Sequence, residues 1–145
     1  TRRTTGQVYA FGVTAISQLQ TAYAQNGRDI EAYIRCIEAG KPYTYRGYEL
    51  TTQEQMVREV IEQMMCNYHF SWSEIATRLG CTPAEVKAAT NYDEQKLKEM
   101  EADGLIQLSE DSISMTQIGS PFVRNVVATL DPLMGHTDKK FSKPI

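Results

Sequence analysis

The sequence predicts a mainly α-helical chain with a small β component, in which one buried strand precedes a winged-helix-like helical domain with a β-hairpin wing. Three observations support this fold class. Residues 8–17 form a short apolar run rich in β-branched and aromatic side chains, as in a strand buried on both faces. Residues 51–130 contain a series of helix-start signals. Two short apolar segments flank a Ser-Glu-Asp turn at residues 109–111, which predicts a hairpin.

The first strand is followed by one helix and an extended segment. A single strand cannot bury both faces by itself, so we expect a larger β-rich body to which residues 1–26 belong. The helix begins near Asn26 and Gly27 and ends at Gly40, where a C′ glycine is favoured. Its apolar face contains Ile30, Tyr33, Ile34 and Ile37. Residues 42–50 alternate aromatic and polar side chains, which predicts a weak strand or an extended connector.

Capping signals define the later helices. Thr51 and Glu54 form a capping box before an apolar stripe that we interpret as core: Met56, Val57, Val60, Ile61, Met64 and Met65. Further starts lie at Ser71, Thr82 and Asp93. Pro121 favours a last helix that begins at Ser120, and the predicted polar tail occupies residues 135–145. The predicted organisation is therefore a trailing segment (1–26), a helical domain (27–134) and this tail.

Composition excludes several classes of function. The net charge of −3 and pI near 5.4 offer no general attraction to nucleic acid or anionic lipid, so we expect neither partner. No apolar run reaches the length of a membrane span. Three widely spaced cysteines, Cys36, Cys66 and Cys81, match no metal-ligand spacing; we interpret them as buried, reduced thiols of a cytoplasmic protein. The chain opens at Thr1, so we expect further sequence upstream.

No catalytic site is predicted within the chain itself. His69 follows an apolar helix, and we interpret it as a packed or partly exposed helix-terminal residue rather than a general base. His136 lies in the polar tail. The motifs of hydrolases, zincins, kinases and dinucleotide-binding proteins are absent from the sequence.

Residues 71–90 have the pattern of a helix-turn-helix, which raises DNA binding as an alternative. The candidate recognition helix carries only Lys87 as a cation, with Glu85 beside it. Glu110 and Asp111 stand where a basic wing would contact phosphate. The electrostatics therefore favour use of this shape for packing rather than for DNA recognition.

An ordered series of motifs resembles oxygen-independent coproporphyrinogen III oxidase, a radical-SAM family. The series comprises FGVTAIS (11–17), AYAQN (22–26), RGYELT (46–51), VREVI (57–61), MCN (65–67), DGL (103–105), MT (115–116), Gly119, VRN (123–125) and FS (141–142). These motifs follow the family's order along nearly the whole chain. The chain is therefore identified as resembling the C-terminal portion of that family.

The resemblance implies a catalytic barrel upstream, whose last strand or barrel-edge strand is the opening strand here. That barrel would bind a [4Fe–4S] cluster through CxxxCxxC cysteines absent from this chain. Cleavage of S-adenosyl-L-methionine would yield a radical that abstracts hydrogen from propionates of coproporphyrinogen III, and decarboxylation would give protoporphyrinogen IX. The fragment would cover the active site and be inactive alone, binding neither cofactor by itself.

The resemblance also implies roles for particular residues. Ile16 matches a position that contacts a second S-adenosylmethionine; in the absence of the resemblance, it is a core isoleucine. Arg58 and Arg124 are weak candidates for pairing with porphyrinogen carboxylates, with structural ion pairs as the alternative.

Three features depart from the family pattern: Val57 stands before Arg58, Ser120 and Pro121 follow Gly119, and residues 130–132 read LDP. The resemblance therefore assigns no role to these replaced side chains. Two alternatives stay open: a heme-chaperone-like relative, because similar proteins use the same barrel to handle heme, and a free-standing winged-helix module.

Overall fold

Two three-stranded antiparallel sheets and six α-helices make up residues 7–134, the part of the chain that the computed structural model describes. The elements, in chain order, are β1 (Ile16–Gln18), β2 (Ala22–Asn26), α1 (Ile30–Glu38), β3 (Thr44–Glu49), α2 (Thr52–Asn67), β4 (His69–Ser71), α3 (Trp72–Leu79), α4 (Pro83–Ala89), α5 (Glu94–Ala102), β5 (Ile106–Leu108), β6 (Ser112–Met115), a 3₁₀ turn (Ser120–Phe122) and α6 (Val123–Leu130). The described residues divide into an N-terminal unit, residues 7–55, and a C-terminal unit, residues 56–134. The predicted polar tail and His136 lie outside the described residues.

The N-terminal unit is built on a sheet with strand order β1-β2-β3. Ile16 pairs with Gln25, and Gln25 pairs in turn with Arg46. In the neighbouring row, Tyr23 pairs with Tyr48. Since side chains alternate between the two faces of a strand, these residues project from the same face.

The opening strand is shorter and later than predicted. The apolar run at residues 8–17 was expected to be one strand buried on both faces, but only Ile16 and Ser17 of that run lie in β1. Gly12 and Thr14 have φ values of 99° and 60°, and this left-handed backbone interrupts the extended run. Phe11 is 88% exposed and Ile16 is 54% exposed. The prediction also missed β2, which pairs with both of its neighbours within this chain.

Helix α1 ends before Gly40 as predicted but begins at Ile30, later than the predicted start near Asn26, which lies in β2. Asp29 caps α1 by accepting a hydrogen bond from the Ala32 amide at 2.8 Å, and Gly40 follows with a φ of 66°. The apolar face of α1 is exposed: Ile30, Ile34 and Ile37. Residues 42–50, read as a strand or a connector, form β3 as an exposed edge strand.

The C-terminal unit is held together by one apolar core. The predicted stripe of α2 contributes Met56, Val57, Val60 and Met64 as buried residues, with Ile61 and Met65 packed against them. The other fully buried side chains come from β4, α3, α4, α5, β5, β6 and α6: Phe70, Ile75, Val86, Leu97, Ile106, Ile113, Val126 and Leu130. The architecture is thus mixed, largely helical with small antiparallel sheets.

A sheet of order β4-β6-β5 closes this unit, and its β5–β6 hairpin lies where it was predicted. Strand β4 was not predicted, because three residues after a long helix are too few to show a period of two. The helix starts at Ser71, Thr82 and Asp93 are confirmed, each side chain accepting a backbone N–H. A 3₁₀ turn begins at Ser120, and α6 continues from it.

Asp111 joins the hairpin to the start of α3. Its carboxylate accepts hydrogen bonds from the Ser71 hydroxyl at 2.5 Å, from the Ser73 amide at 3.0 Å and from the Ser73 hydroxyl. These hydrogen bonds, led by the one from Ser71, lower the pKa of Asp111 below its ordinary value of 3.8. The acidic residue at the hairpin tip therefore has a structural role.

Removal of core volume at Leu97 is expected to destabilise the C-terminal unit. Leu97 is completely buried, so Leu97→Ala should lower the free energy of unfolding by about 2–5 kcal/mol through lost burial and a residual cavity. Ile118 is 77% exposed, and Ile118→Ala should change it by less than about 0.5 kcal/mol. Urea unfolding followed by circular dichroism measures both; equal losses would contradict the assigned core.

The Asp111 contacts predict a pH-dependent contribution to stability. A carboxyl whose pKa is lower in the folded state stabilises that state above its unfolded pKa, and this contribution disappears as the pH falls through the folded pKa. Asp111→Asn should therefore lower the urea midpoint at pH 7, and the difference from the parent should shrink below the ordinary value of 3.8. A midpoint difference that is the same at pH 7 and pH 3 would show that the charge of Asp111 is not involved.

Candidate functional site

One face of the β1-β2-β3 sheet forms an open cleft in the N-terminal unit. Its volume is about 420 Å³, and its side-chain lining, which we name the Arg46 face, consists of Ile16, Tyr23, Gln25, Arg46 and Tyr48. The antiparallel register brings these residues together from the β1–β2 hairpin and from β3, which follows after helix α1. The face combines one apolar side chain with phenols, an amide and a guanidinium.

A second cleft of about 520 Å³ adjoins the first, since both are lined by Gln25 and Arg46. The second cleft adds Arg28 from the β2–α1 connection, together with Tyr43 and Tyr45. The two adjoining clefts thus contain two cations, Arg28 and Arg46, together with the carboxylate of Asp29 and several phenols. The cations and phenols suit an anionic ligand with a flat or apolar body.

Arg46 is oriented by its neighbour on β2. Its Nε donates a hydrogen bond to Gln25 Oε1 at 2.7 Å, and the residue is exposed. Within residues 7–134, this is the hydrogen bond that the guanidinium makes, and its two terminal amino groups form no further hydrogen bond or ion pair there. The amide therefore fixes the side chain without neutralising its charge.

Tyr48 and Glu54 set the charge at one end of the face. The Tyr48 hydroxyl donates to Glu54, which also accepts from the Thr51 amide at 2.8 Å and the Thr51 hydroxyl at 2.9 Å. The bond to Glu54 raises the pKa of Tyr48, and the same bond lowers the pKa of Glu54. Near neutral pH, Tyr48 is a neutral phenol beside an ionised carboxylate.

Tyr43, which lines the second cleft, is positioned by close packing. Its ring makes an edge-on contact with Tyr33, with 5.9 Å between centroids. Gly27 lies directly against the Tyr43 ring, where an added Cβ would come within 2.6 Å of Tyr43 Oη. Glycine at this position allows the tyrosine to approach the backbone of the β2–α1 connection.

The structure separates the three residues that the sequence singled out. Ile16 lies on β1 in the N-terminal unit and lines the Arg46 face. Arg58 lies half-buried on α2 and Arg124 lies exposed on α6, both in the C-terminal unit. No single unit therefore brings Ile16 together with either arginine.

A further cleft of about 500 Å³ contains His69 but shows no catalytic arrangement. His69 is the first residue of β4, not a helix-terminal residue, and its Nδ1 lies 2.8 Å from Ser114 Oγ. The cleft is also lined by Cys66 and Arg78, and Arg78 forms an ion pair with the buried carboxylate of Glu59. That pairing gives the arginine a structural role.

The cysteines and acidic side chains of the described residues do not form a metal site. Cys36, Cys66 and Cys81 are free thiols, as predicted, but each is half-buried rather than fully buried. Between residues 7 and 134, no group of three or more His, Cys, Asp or Glu side chains has the arrangement of a metal site. The residues present do not fit an iron–sulfur cluster. No helix in this range is both long and apolar enough to cross a membrane.

The charged residues of the candidate recognition helix, α4, make local contacts within the chain. Lys87, the cation of α4, lies with its Nζ 3.8 Å from the centroid of the Tyr92 ring. Glu85 completes the capping box of the same helix, accepting from the Thr82 amide at 2.7 Å. Both charged groups are engaged locally, so the preference for packing over DNA binding stays a prediction that this geometry favours.

Sequence reasoning missed Gln25, Arg46 and Tyr48 as possible ligand contacts. Neither AYAQN nor TYRGYE alternates regularly between apolar and polar side chains, and burial is uniform along each strand. What alternation cannot give is the pairing of strands, and only the register places Gln25 between Ile16 and Arg46.

Comparisons with known proteins give a consistent family. The model of the HemN C-terminal domain family matches residues 50–122. The oxygen-independent coproporphyrinogen III oxidase of Thermostichus vulcanus is 31% identical over 97% of this chain and 43% of that protein. The protein of the same name from Bradyrhizobium diazoefficiens is 33% identical over 83% of this chain and 26% of that protein.

A solved structure is also similar. "Coproporphyrinogen III oxidase (HemN) from Escherichia coli is a Radical SAM enzyme" describes a chain that matches with a TM-score of 0.69 and 29% identity, over 88% of this chain and 29% of that one. This chain spans less than half the length of these relatives. The family predicted from the motifs is confirmed: the chain belongs to the HemN C-terminal domain family.

Proposed function

We propose that this chain is the C-terminal part of an oxygen-independent coproporphyrinogen III oxidase, which converts coproporphyrinogen III to protoporphyrinogen IX in porphyrin and heme biosynthesis. The observation that carries this proposal is the similarity over 97% of the chain to a relative of that name. A solved structure of similar fold, described as a radical SAM enzyme, supports the same reaction class. The partner of this chain would be its own upstream radical-SAM barrel.

The iron–sulfur cluster belongs upstream in this proposal. The described part of the chain offers three separated cysteines and no metal-binding group of three side chains. The role left to this chain is to bind, orient and shield the substrate at the barrel.

Ile16 is proposed to contact a second S-adenosylmethionine. Its side chain is 54% exposed on the Arg46 face, beside an amide and a phenol. An exposed isoleucine among polar groups suits a ligand that has an apolar ring with polar edges. S-adenosylmethionine bound in the complete enzyme supplies the hydrogen-abstraction chemistry that precedes loss of carbon dioxide.

The C-terminal unit is proposed to act as a winged-helix-like cover. The order α2, β4, α3, α4, α5, then the β5–β6 hairpin, is that of a winged-helix module, and Asp111 ties the hairpin to α3. The well-packed core makes it a rigid body, as a cover that excludes water requires. Placement in the cytoplasm, and the predicted boundaries at residues 26 and 134, stay predictions.

The test uses the full-length protein, reconstituted anaerobically with iron and sulfide and supplied with S-adenosylmethionine, a reductant and coproporphyrinogen III. We expect two vinyl groups to form per substrate, measured as protoporphyrin IX after oxidation. A cluster-loaded protein that binds heme but leaves coproporphyrinogen III unchanged would contradict the proposal and favour the heme-chaperone-like alternative.

Substitution of Ile16 tests the cofactor contact separately. Ile16→Asp places a carboxylate against the ligand, so we expect a loss of product of at least about 10-fold, corresponding to roughly 1.4 kcal/mol. Ile16→Val keeps an apolar surface and should retain most activity. Ile118→Asp, on an exposed position of the C-terminal unit, is the matched control. Equal activity of Ile16→Asp and this control, at equal thermal stability, would exclude the contact.

A further inference from the structure

Arg46 is the central cation of the N-terminal unit, and we infer that it binds a carboxylate of the enzyme's ligands on the Arg46 face. The inference deepens the proposed function and rests on it for the identity of the ligand. The family resemblance assigns a role to Ile16 but none to Arg46. The carboxylate has two possible sources, a propionate of the tetrapyrrole or the methionyl end of S-adenosylmethionine, and the experiment below separates them.

Among the described residues, the guanidinium of Arg46 has a neutral hydrogen-bond partner and no carboxylate partner, so it can bind an anion. Gln25 occupies only Nε, at 2.7 Å, and an amide oxygen adds no charge. Arg35, in the same unit, has a carboxylate partner, Glu31, at 3.6 Å. Arg46 instead has a neutral partner and an open cleft on each side. Two unoccupied terminal amino groups match the two oxygens of a carboxylate.

The side chains next to Arg46 favour a ligand whose uncharged part is apolar or conjugated. Ile16 lies in the same row of the sheet, separated from Arg46 by Gln25 alone. Tyr23 and Tyr48 line the same cleft as Arg46, and Tyr45 lines the second cleft. A ligand that places a carboxylate on Arg46 can therefore lay an apolar or conjugated body across Ile16 and the phenols.

Electrostatics agree with an anionic ligand. Arg28 lines the second cleft and adds a further positive charge. The acidic neighbours are already engaged: Asp29 caps α1 through the Ala32 amide, and Glu54 accepts from Thr51 and Tyr48. Hydrogen bonding leaves the negative charge of a carboxylate in place, so the favourable feature is local: these two carboxylates are held by other groups, and the partner of Arg46 is the neutral amide of Gln25.

The experiment compares three variants of the full-length enzyme. Arg46→Ala removes the positive charge, and Arg46→Lys keeps the charge without the planar guanidinium. Gln25→Glu keeps a hydrogen-bond acceptor for Nε and places a negative charge beside the guanidinium, where it competes with an anionic ligand. Arg35→Ala is the matched control, since Arg35 is 67% exposed on α1 and is already paired. Thermal unfolding is measured for each variant, because a purely structural role for Arg46 would lower the melting temperature of Arg46→Ala and leave Gln25→Glu unaffected.

Ligand affinity is the readout, and it does not require turnover. Binding of coproporphyrin III, a stable tetracarboxylate, is titrated by its fluorescence, and S-adenosylmethionine is titrated by calorimetry. We expect the dissociation constant of one of them to rise about 10-fold to 100-fold in Arg46→Ala and in Gln25→Glu, and by less in Arg46→Lys. A rise confined to coproporphyrin assigns a propionate; a rise confined to S-adenosylmethionine assigns its methionyl carboxylate.

Two results would overturn the inference. One is that both dissociation constants in Arg46→Ala equal those of Arg35→Ala. The other is that Gln25→Glu binds both ligands as the parent does. The proposed function would be contradicted by a different result, the absence of vinyl product from the parent enzyme. Failure of the proposed function can therefore be told apart from failure of the Arg46 inference.

Discussion

The register of the β1-β2-β3 sheet is the constraint on which the functional interpretation depends. Ile16, Gln25 and Arg46 come from three strands, and they form one row because Gln25 pairs with both of the others. A slip of one residue would turn the side chains of a strand to the opposite face. The bond from Arg46 to Gln25 Oε1 connects β3 to β2 within that row. The same register therefore creates the cleft, exposes the isoleucine and orients the cation.

The two units divide stability and recognition between them. The C-terminal unit has the apolar core, with Val60, Met64 and Leu97 completely buried. The N-terminal unit instead exposes apolar and aromatic side chains, among them Phe11 and Ile16. Exposed apolar surface of this kind is typical of a region that meets another body or a ligand. This division accords with a proposal in which one unit provides a rigid cover and the other contacts the catalytic barrel and its ligands.

The sequence predicted local structure well and pairing poorly. Caps such as Ser71, Thr82 and Asp93 could be recognised because their chemistry is confined to one helical turn. The hairpin at residues 106–115 was predictable for the same reason. Strand β4 was missed, since its partner β6 lies far along the chain. Strand β2 was missed although its partner β1 is near, because AYAQN shows no alternation of apolar and polar side chains. In the candidate site, Ile16 was identified from the family motif, whereas Arg46 was identified only from the strand register. No local sequence pattern distinguishes an arginine that faces a ligand from one that faces solvent.

Chemical protection of Arg46 in the full-length protein tests whether this residue contacts a ligand. Phenylglyoxal modifies exposed arginines, and peptide mass spectrometry reads the extent at each site with and without S-adenosylmethionine and coproporphyrin III. The account predicts that one of these ligands protects Arg46, while Arg35 of the same unit, 67% exposed, stays equally reactive. Full reactivity of Arg46 at ligand concentrations that saturate binding would contradict the claim that this face holds a carboxylate.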